Sequence, residues 1–176
     1  MLRTMFVLAA AALTLSAAVS PVSAQEDPHL AKARRVLAAT PLVDGHNDLP
    51  WAIRQSDRGP KDVHADAHDL RARTAFHTDI QRLRDGMVGA QFWSVYIPFE
   101  AVQEGAAMTQ LEQIDIALEV IETYPDVFEL ALDASDVNRI FGQGKIASML
   151  GMEGGHAIEN SLGALRAFYA LGVRYM

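Results

Sequence analysis

The sequence predicts an α/β fold built on a parallel sheet. Short apolar runs alternate along the chain with stretches whose apolar residues recur at helical spacing. The runs are apolar throughout, as strands covered on both faces are. A further run opens at Val173, directly after a helix stop.

The first 24 residues precede that pattern. Arg3 supplies a basic start, Met5 to Leu15 an apolar core broken only by Thr14, and Val22-Ser23-Ala24 a small-residue cleavage site. This is the three-part layout of a secretory signal peptide. Its apolar core falls short of the roughly 20 residues a membrane span needs. The expected mature start is Gln25 and the expected location secreted or periplasmic. With no cysteine after the signal, a lipid anchor is not expected.

Asp27-Pro28 reads as a helix cap and first helical residue, and Leu30, Ala33, Val36 and Leu37 share one face of a helix over about 28–39. Leu42-Val43-Asp44 is a short buried-strand candidate running into GHNDLP. Residues 55–75 are polar, carry His64 and His68, and read as a solvated loop with some helical turns. Thr78-Asp79 caps a short helix that stops at Gly86.

Residues 90–97 (AQFWSVYI) form the clearest strand, with three aromatics, and Pro98 ends it. Met108, Leu111, Ile114, Leu118 and Ile121 mark an amphipathic helix. Thr109 and Glu112 have capping-box spacing, although the helix can begin earlier. Residues 128–132 are a strand candidate, and Ser135 or Asp136 starts a short helix ending near Gly142 or Gly144. Residues 146–152 are a further apolar run leading into EGGH. A last helix spans 161–171, with Leu162, Leu165 and Phe168 on one face and Gly172 as its stop.

An eight-fold barrel of such units needs about 250 residues. This chain supplies about four strands and the start of a fifth in 176 residues. The expectation is therefore the N-terminal half of a (β/α)8 TIM-type barrel, truncated, with apolar surface left uncovered and poor autonomous stability.

Composition narrows function. The chain carries a net charge of −7; removing residues 1–24 takes one base, Arg3, and no acid, leaving 14 basic against 22 acidic residues, a net of −8. An acidic surface argues against nucleic acid as a partner. With no cysteine, a disulfide framework is excluded and any metal site must use His, Asp and Glu.

Three residues stand where such a site would be. His46 and Asp48 lie two apart at the end of a short strand, so both can face one ion. Asp48 as a helix cap and His46 as a partly buried polar residue explain the same spacing. His77-Thr78-Asp79 repeats it but precedes a helix, and reads as structural. Glu153 follows the run 146–152 at another strand end, where its carboxylate could bridge two cations or simply open a loop. His156 is placed behind the ligands, as a hydrogen-bonding partner or a structural residue. Trp51, Phe92, Trp93 and Tyr96 either line a cleft or fill the core.

LVDGHNDLPW (42–51), VGAQFWSVYIP (88–98), LEQID with YPDVF (111–128) and GKIASMLGMEGGHAIENSLGALRAFYALGVRYM (144–176) together resemble the membrane dipeptidase family. The resemblance implies a zinc hydrolase on a (β/α)8 barrel that cleaves dipeptides, with residues 25–176 the N-terminal part of its metallo-dipeptidase domain. His46 and Asp48 would bind a first zinc and Glu153 would bridge it to a second. The family's two further zinc histidines, its substrate-contacting histidine and its proton-transferring aspartate would fall downstream of Met176. The expected chemistry is attack by a metal-bridging hydroxide on the peptide carbonyl. A homodimer of the full-length protein fits the resemblance, and membrane attachment is left open. A non-catalytic secreted half-barrel and another metal-dependent amidohydrolase are the competing readings.

Overall fold

The computed structural model describes residues 27–56, 62–103 and 105–176. The signal peptide read at residues 1–24 lies outside the described residues. Among the described residues no helix is long and apolar enough to cross a membrane.

Strands β1 (Leu42–Asn47), β2 (Val88–Ser94), β3 (Phe128–Leu130), β4 (Ile146–Gly151) and β5 (Val173–Tyr175) alternate with helices α1 (Pro28–Ala39), α2 (Leu49–Arg54), α3 (Ile80–Asp85), α4 (Ala106–Thr123), α5 (Ala134–Gly142) and α6 (Leu162–Ala170). All pairings are parallel, in the order β1-β2-β4-β3, with β5 also on β4. β3 pairs with residues 146–148 of β4 and β5 with 150–151, so β4 is the central strand. Every residue of β4 is buried, as its unbroken apolar run requires.

Local chemistry sets most boundaries as expected. The Asp27 carboxylate accepts from the His29 N–H at 2.8 Å, and Pro28 begins α1. Asp79 accepts from the Arg82 N–H at 2.8 Å, and Gly86 ends α3. Ser161 accepts from the Ala164 N–H at 3.2 Å, and Gly172, at φ 110°, takes the left-handed turn after α6. One cap differs. α5 is capped by Asp133, which accepts from both Ser135 and Asp136, so it begins a residue before the predicted start.

Burial differs more. The apolar face of α1 is uncovered: Leu30 and Val36 are exposed and no residue of the helix is buried. β1, read as buried, pairs among the described residues only with β2 and leaves Leu42 and Val43 exposed. Helical spacing says which side chains share a face, not whether anything covers it. α4 begins at Ala106, after Gly105 at φ 97°, so no capping box forms at Thr109, whose hydroxyl bonds back to the Gly105 carbonyl at 3.4 Å. Its buried face includes Gln110, Gln113, Ala117 and Val120 with Ile114 and Ile121, while Met108 and Leu111 are exposed. The Gln110 side-chain amide donates to the Val95 carbonyl at 2.8 Å, tying the helix to the chain just past β2.

The loop after α2 is not simply solvated. Val63, His68 and Leu70 are buried, and the Tyr124 hydroxyl accepts from the Leu70 N–H at 2.8 Å. The core contains Trp93, which meets Phe128 edge-on at 5.5 Å between ring centres. Trp51, Phe92 and Tyr96 are half-buried, with Trp51 edge-on to Tyr96 at 5.2 Å. The four aromatics thus divide between core and surface.

Candidate metal centre

The C-terminal ends of β1, β2 and β4 lie side by side, because parallel pairing puts them on one edge of the sheet. In parallel α/β folds that edge holds the chemistry. His46 lies within β1. Asp48 is one residue past its end, with φ −83° and ψ 18°, so strand alternation alone does not orient it. The turn into α2 does: Asp48 Oδ1 lies 2.9 Å from His46 Nε2.

Asp48 holds the cap position of α2, yet its side chain caps nothing. Asn47 takes that role, its Oδ1 accepting from the Leu49 N–H at 3.1 Å. Asn47 is itself held by Thr78 at 3.1 Å and by buried Gln91 at 3.3 Å. The second HxD therefore serves the first. Thr78 anchors Asn47, Asp79 caps α3, and His77 lines a cavity of about 280 Å³ beside His46 and Asp48 together with Phe76.

Glu153 comes from the other side, two residues past β4 and just before Gly154, whose φ of 86° turns the chain away. Its Oε1 lies 3.3 Å from His46 Nδ1 and accepts from the Ser94 hydroxyl at 2.7 Å. One donor atom from each of His46, Asp48 and Glu153 falls within 4.8 Å of the others. His46 and Asp48 are about half exposed and Glu153 about a third, so the cluster is open to solutes. One imidazole and two carboxylates converging from two strand ends suit a first-row divalent cation, zinc included. The residues present fit such an ion.

Two neighbours of the cluster escape sequence reading. Ser94 is the last residue of β2 and fully buried; a hydroxyl closing an apolar strand at its C-terminal end is the signal it offers. Tyr175 reaches across from β5 and donates to the Gly45 carbonyl at 3.2 Å. Burial, with the nearby Glu153 and Asp48 charges, pushes its phenol above the usual tyrosine value. His156 stands apart from the cluster. Its Nε2 lies 3.3 Å from the Ile97 carbonyl and its ring meets Phe99 at 5.6 Å, so its hydrogen bond goes to the loop after β2 and not to a carboxylate of the cluster.

A family model described as membrane dipeptidase, peptidase family M19, matches residues 30–176. The chain is 43% identical over 159 residues to the dipeptidase ataJ of Aspergillus terreus, covering 85% of this chain and 38% of that protein. It is 42% identical over 161 residues to the dipeptidase verJ of Clonostachys rogersoniana, covering 85% and 40%. The chain thus spans about two-fifths of the length of these relatives. Among solved structures, a family M19 metallopeptidase described as dipeptidase AC superposes with a TM-score of 0.63 at 23% identity, over 76% of this chain and 41% of that one. A metallopeptidase from Rhodobacter sphaeroides, solved with a phosphinate mimic of the dipeptide L-Ala-D-Ala, gives 0.60 at 22%, over 76% and 44%. At that identity these likenesses speak for the α/β fold alone.

Proposed function

The chain belongs to the membrane dipeptidase family, and from that premise we propose that the whole protein is an exported, zinc-dependent dipeptidase whose metal is held in part by His46, Asp48 and Glu153. The observation that carries the ligand assignment is the convergence of these three donors, from two strand ends, within 4.8 Å.

His46 offers a ring nitrogen and Asp48 a carboxylate oxygen to one cation. Glu153 would add a carboxylate oxygen to that cation, and its second oxygen would hold a further one as the family resemblance implies. Zinc supplies, when bound, a water activated at neutral pH and a Lewis acid for the peptide carbonyl. The chain's own part is to fix the donors. Asn47 takes the capping duty that would otherwise engage Asp48, and the Asp44 carboxylate accepts from the His46 N–H at 3.1 Å, steadying the backbone that carries the imidazole. Export rests on residues 1–24, and the exported protein should begin at Gln25 when its N-terminus is sequenced.

The test is metal analysis and dipeptide hydrolysis on the full-length protein. Hydrolysis should be abolished by a chelator and restored by zinc. His46→Ala and Glu153→Ala should each lower bound zinc and reduce kcat/KM by more than the roughly 10–100-fold typical of losing an outer partner of a ligand. Unchanged zinc content in both variants would refute the ligand assignment. A full-length protein without chelator-sensitive dipeptidase activity would refute the function.

A further inference from the structure

We infer that Ser94 is a positioning residue for Glu153, setting the direction in which its carboxylate meets the metal; this rests on the reading of Glu153 as a ligand. Ser94 is fully buried, and a buried hydroxyl must find a partner. The hydrogen bond it makes is to Glu153 Oε1, at 2.7 Å, the length of a good O–H···O bond. A hydroxyl has one proton to give, and here it goes to the same oxygen that faces His46 Nδ1 at 3.3 Å.

Glu153 needs that help more than the other two donors. His46 is flanked by the Asp44–Gln91 and Asn47–Trp93 pairs of β1 with β2 and its N–H is held by the Asp44 carboxylate, while Asp48 is set by the turn into α2. Glu153 lies outside the strand ladder, on a segment leading into Gly154 at φ 86°, and its terminal torsion is intrinsically broad. Ser94, in contrast, is locked. It pairs in register with Gly151 of β4, and the next residue, Val95, donates its N–H to the Gly151 carbonyl at 2.8 Å. The hydroxyl therefore carries the rigidity of the β2–β4 pair to a carboxylate that lies outside the strand ladder. Partners of this kind orient ligands and tune metal affinity.

The experiment compares Ser94→Thr with Ser94→Val in the full-length protein, since these side chains match in shape and differ in the hydroxyl. Zinc affinity is read by competition with a chromogenic chelator, and ligand geometry by the visible absorption of the cobalt-substituted protein. The Val variant should bind zinc about 10–100-fold more weakly than the Thr variant and show a shifted cobalt spectrum. Should either branched side chain not be accommodated, Ser94→Ala against wild type gives the same comparison. Equal affinity and identical spectra with and without the hydroxyl would overturn the inference. Glu153→Gln, run in parallel, separates the two levels. If it keeps wild-type zinc affinity, the ligand assignment itself fails. If it loses zinc while the hydroxyl makes no difference, only the role of Ser94 fails.

Discussion

His46 Nδ1 and Glu153 Oε1 meet at 3.3 Å, although β2 lies between the strands that deliver them. The two side chains reach one another over the end of β2, and the residue at that end is Ser94. The cluster is thus a product of three strand ends, and its precision depends on the packing beneath it.

Gly151 is one place where that packing is tight. A Cβ there would run into the ring of Tyr175, whose hydroxyl is bonded to the Gly45 carbonyl beside His46. Gly151→Ala should therefore cost about 1–3 kcal/mol by overpacking, measured by urea unfolding. In a Tyr175→Ala background the same change should cost less than about 1 kcal/mol, because the obstructing ring is gone. Equal costs in both backgrounds would mean the ring is not the obstacle.

Asp79 combines a cap with an ion pair. Burial pushes its carboxyl up, but the Arg82 N–H at 2.8 Å and the Arg82 guanidinium at 2.8 Å outweigh that and hold it below the usual aspartate value. Its contribution is therefore complete above the ordinary value of 3.8 and is lost as pH falls through the lower native value. Asp79→Ala should cost about 1–2 kcal/mol at neutral pH. The variant's stability should also fall less steeply than wild type's on acidification below pH 4, as followed by thermal melts across that range. A parallel decline in the two proteins would exclude Asp79 from the acid response.

Trp93 should dominate the core. Trp93→Ala should cost about 3–5 kcal/mol, since a fully buried ring packed on Phe128 leaves a large cavity. Trp51→Ala, at a half-buried ring, should cost clearly less in the same unfolding assay. The reverse order would place the core elsewhere.

Much of this was legible along the chain. The helix caps at Asp27 and Asp79 are local hydrogen bonds between near neighbours, so sequence spacing reports them directly. The two HxD pairs are alike in that Asp48 stands at the start of α2 and Asp79 at the start of α3, and they differ in that His46 lies within β1. The buried face of α4 was not legible, because Gln110 and Gln113 are inside and Met108 and Leu111 outside. Polarity ranks what a side chain prefers, while tertiary packing decided what it received, as where Gln110 bonds to the Val95 carbonyl after β2. The loop holding His68 misled in the same way, since its polar composition gave no sign that Tyr124 would draw Leu70 inward.

By itself the sequence determined the alternation of strands and helices and the place of His46, Asp48 and Glu153 at or just past strand ends, because these follow from periodicity and from bonds made within a few residues. Only the tertiary structure decided that side-chain atoms of His46, Asp48 and Glu153 fall within 4.8 Å of one another, that Asn47 rather than Asp48 caps α2, and that Ser94 and Tyr175 stand beside them. Those relationships join residues brought together by sheet order and register, and a linear pattern carries no record of which strand lies next to which.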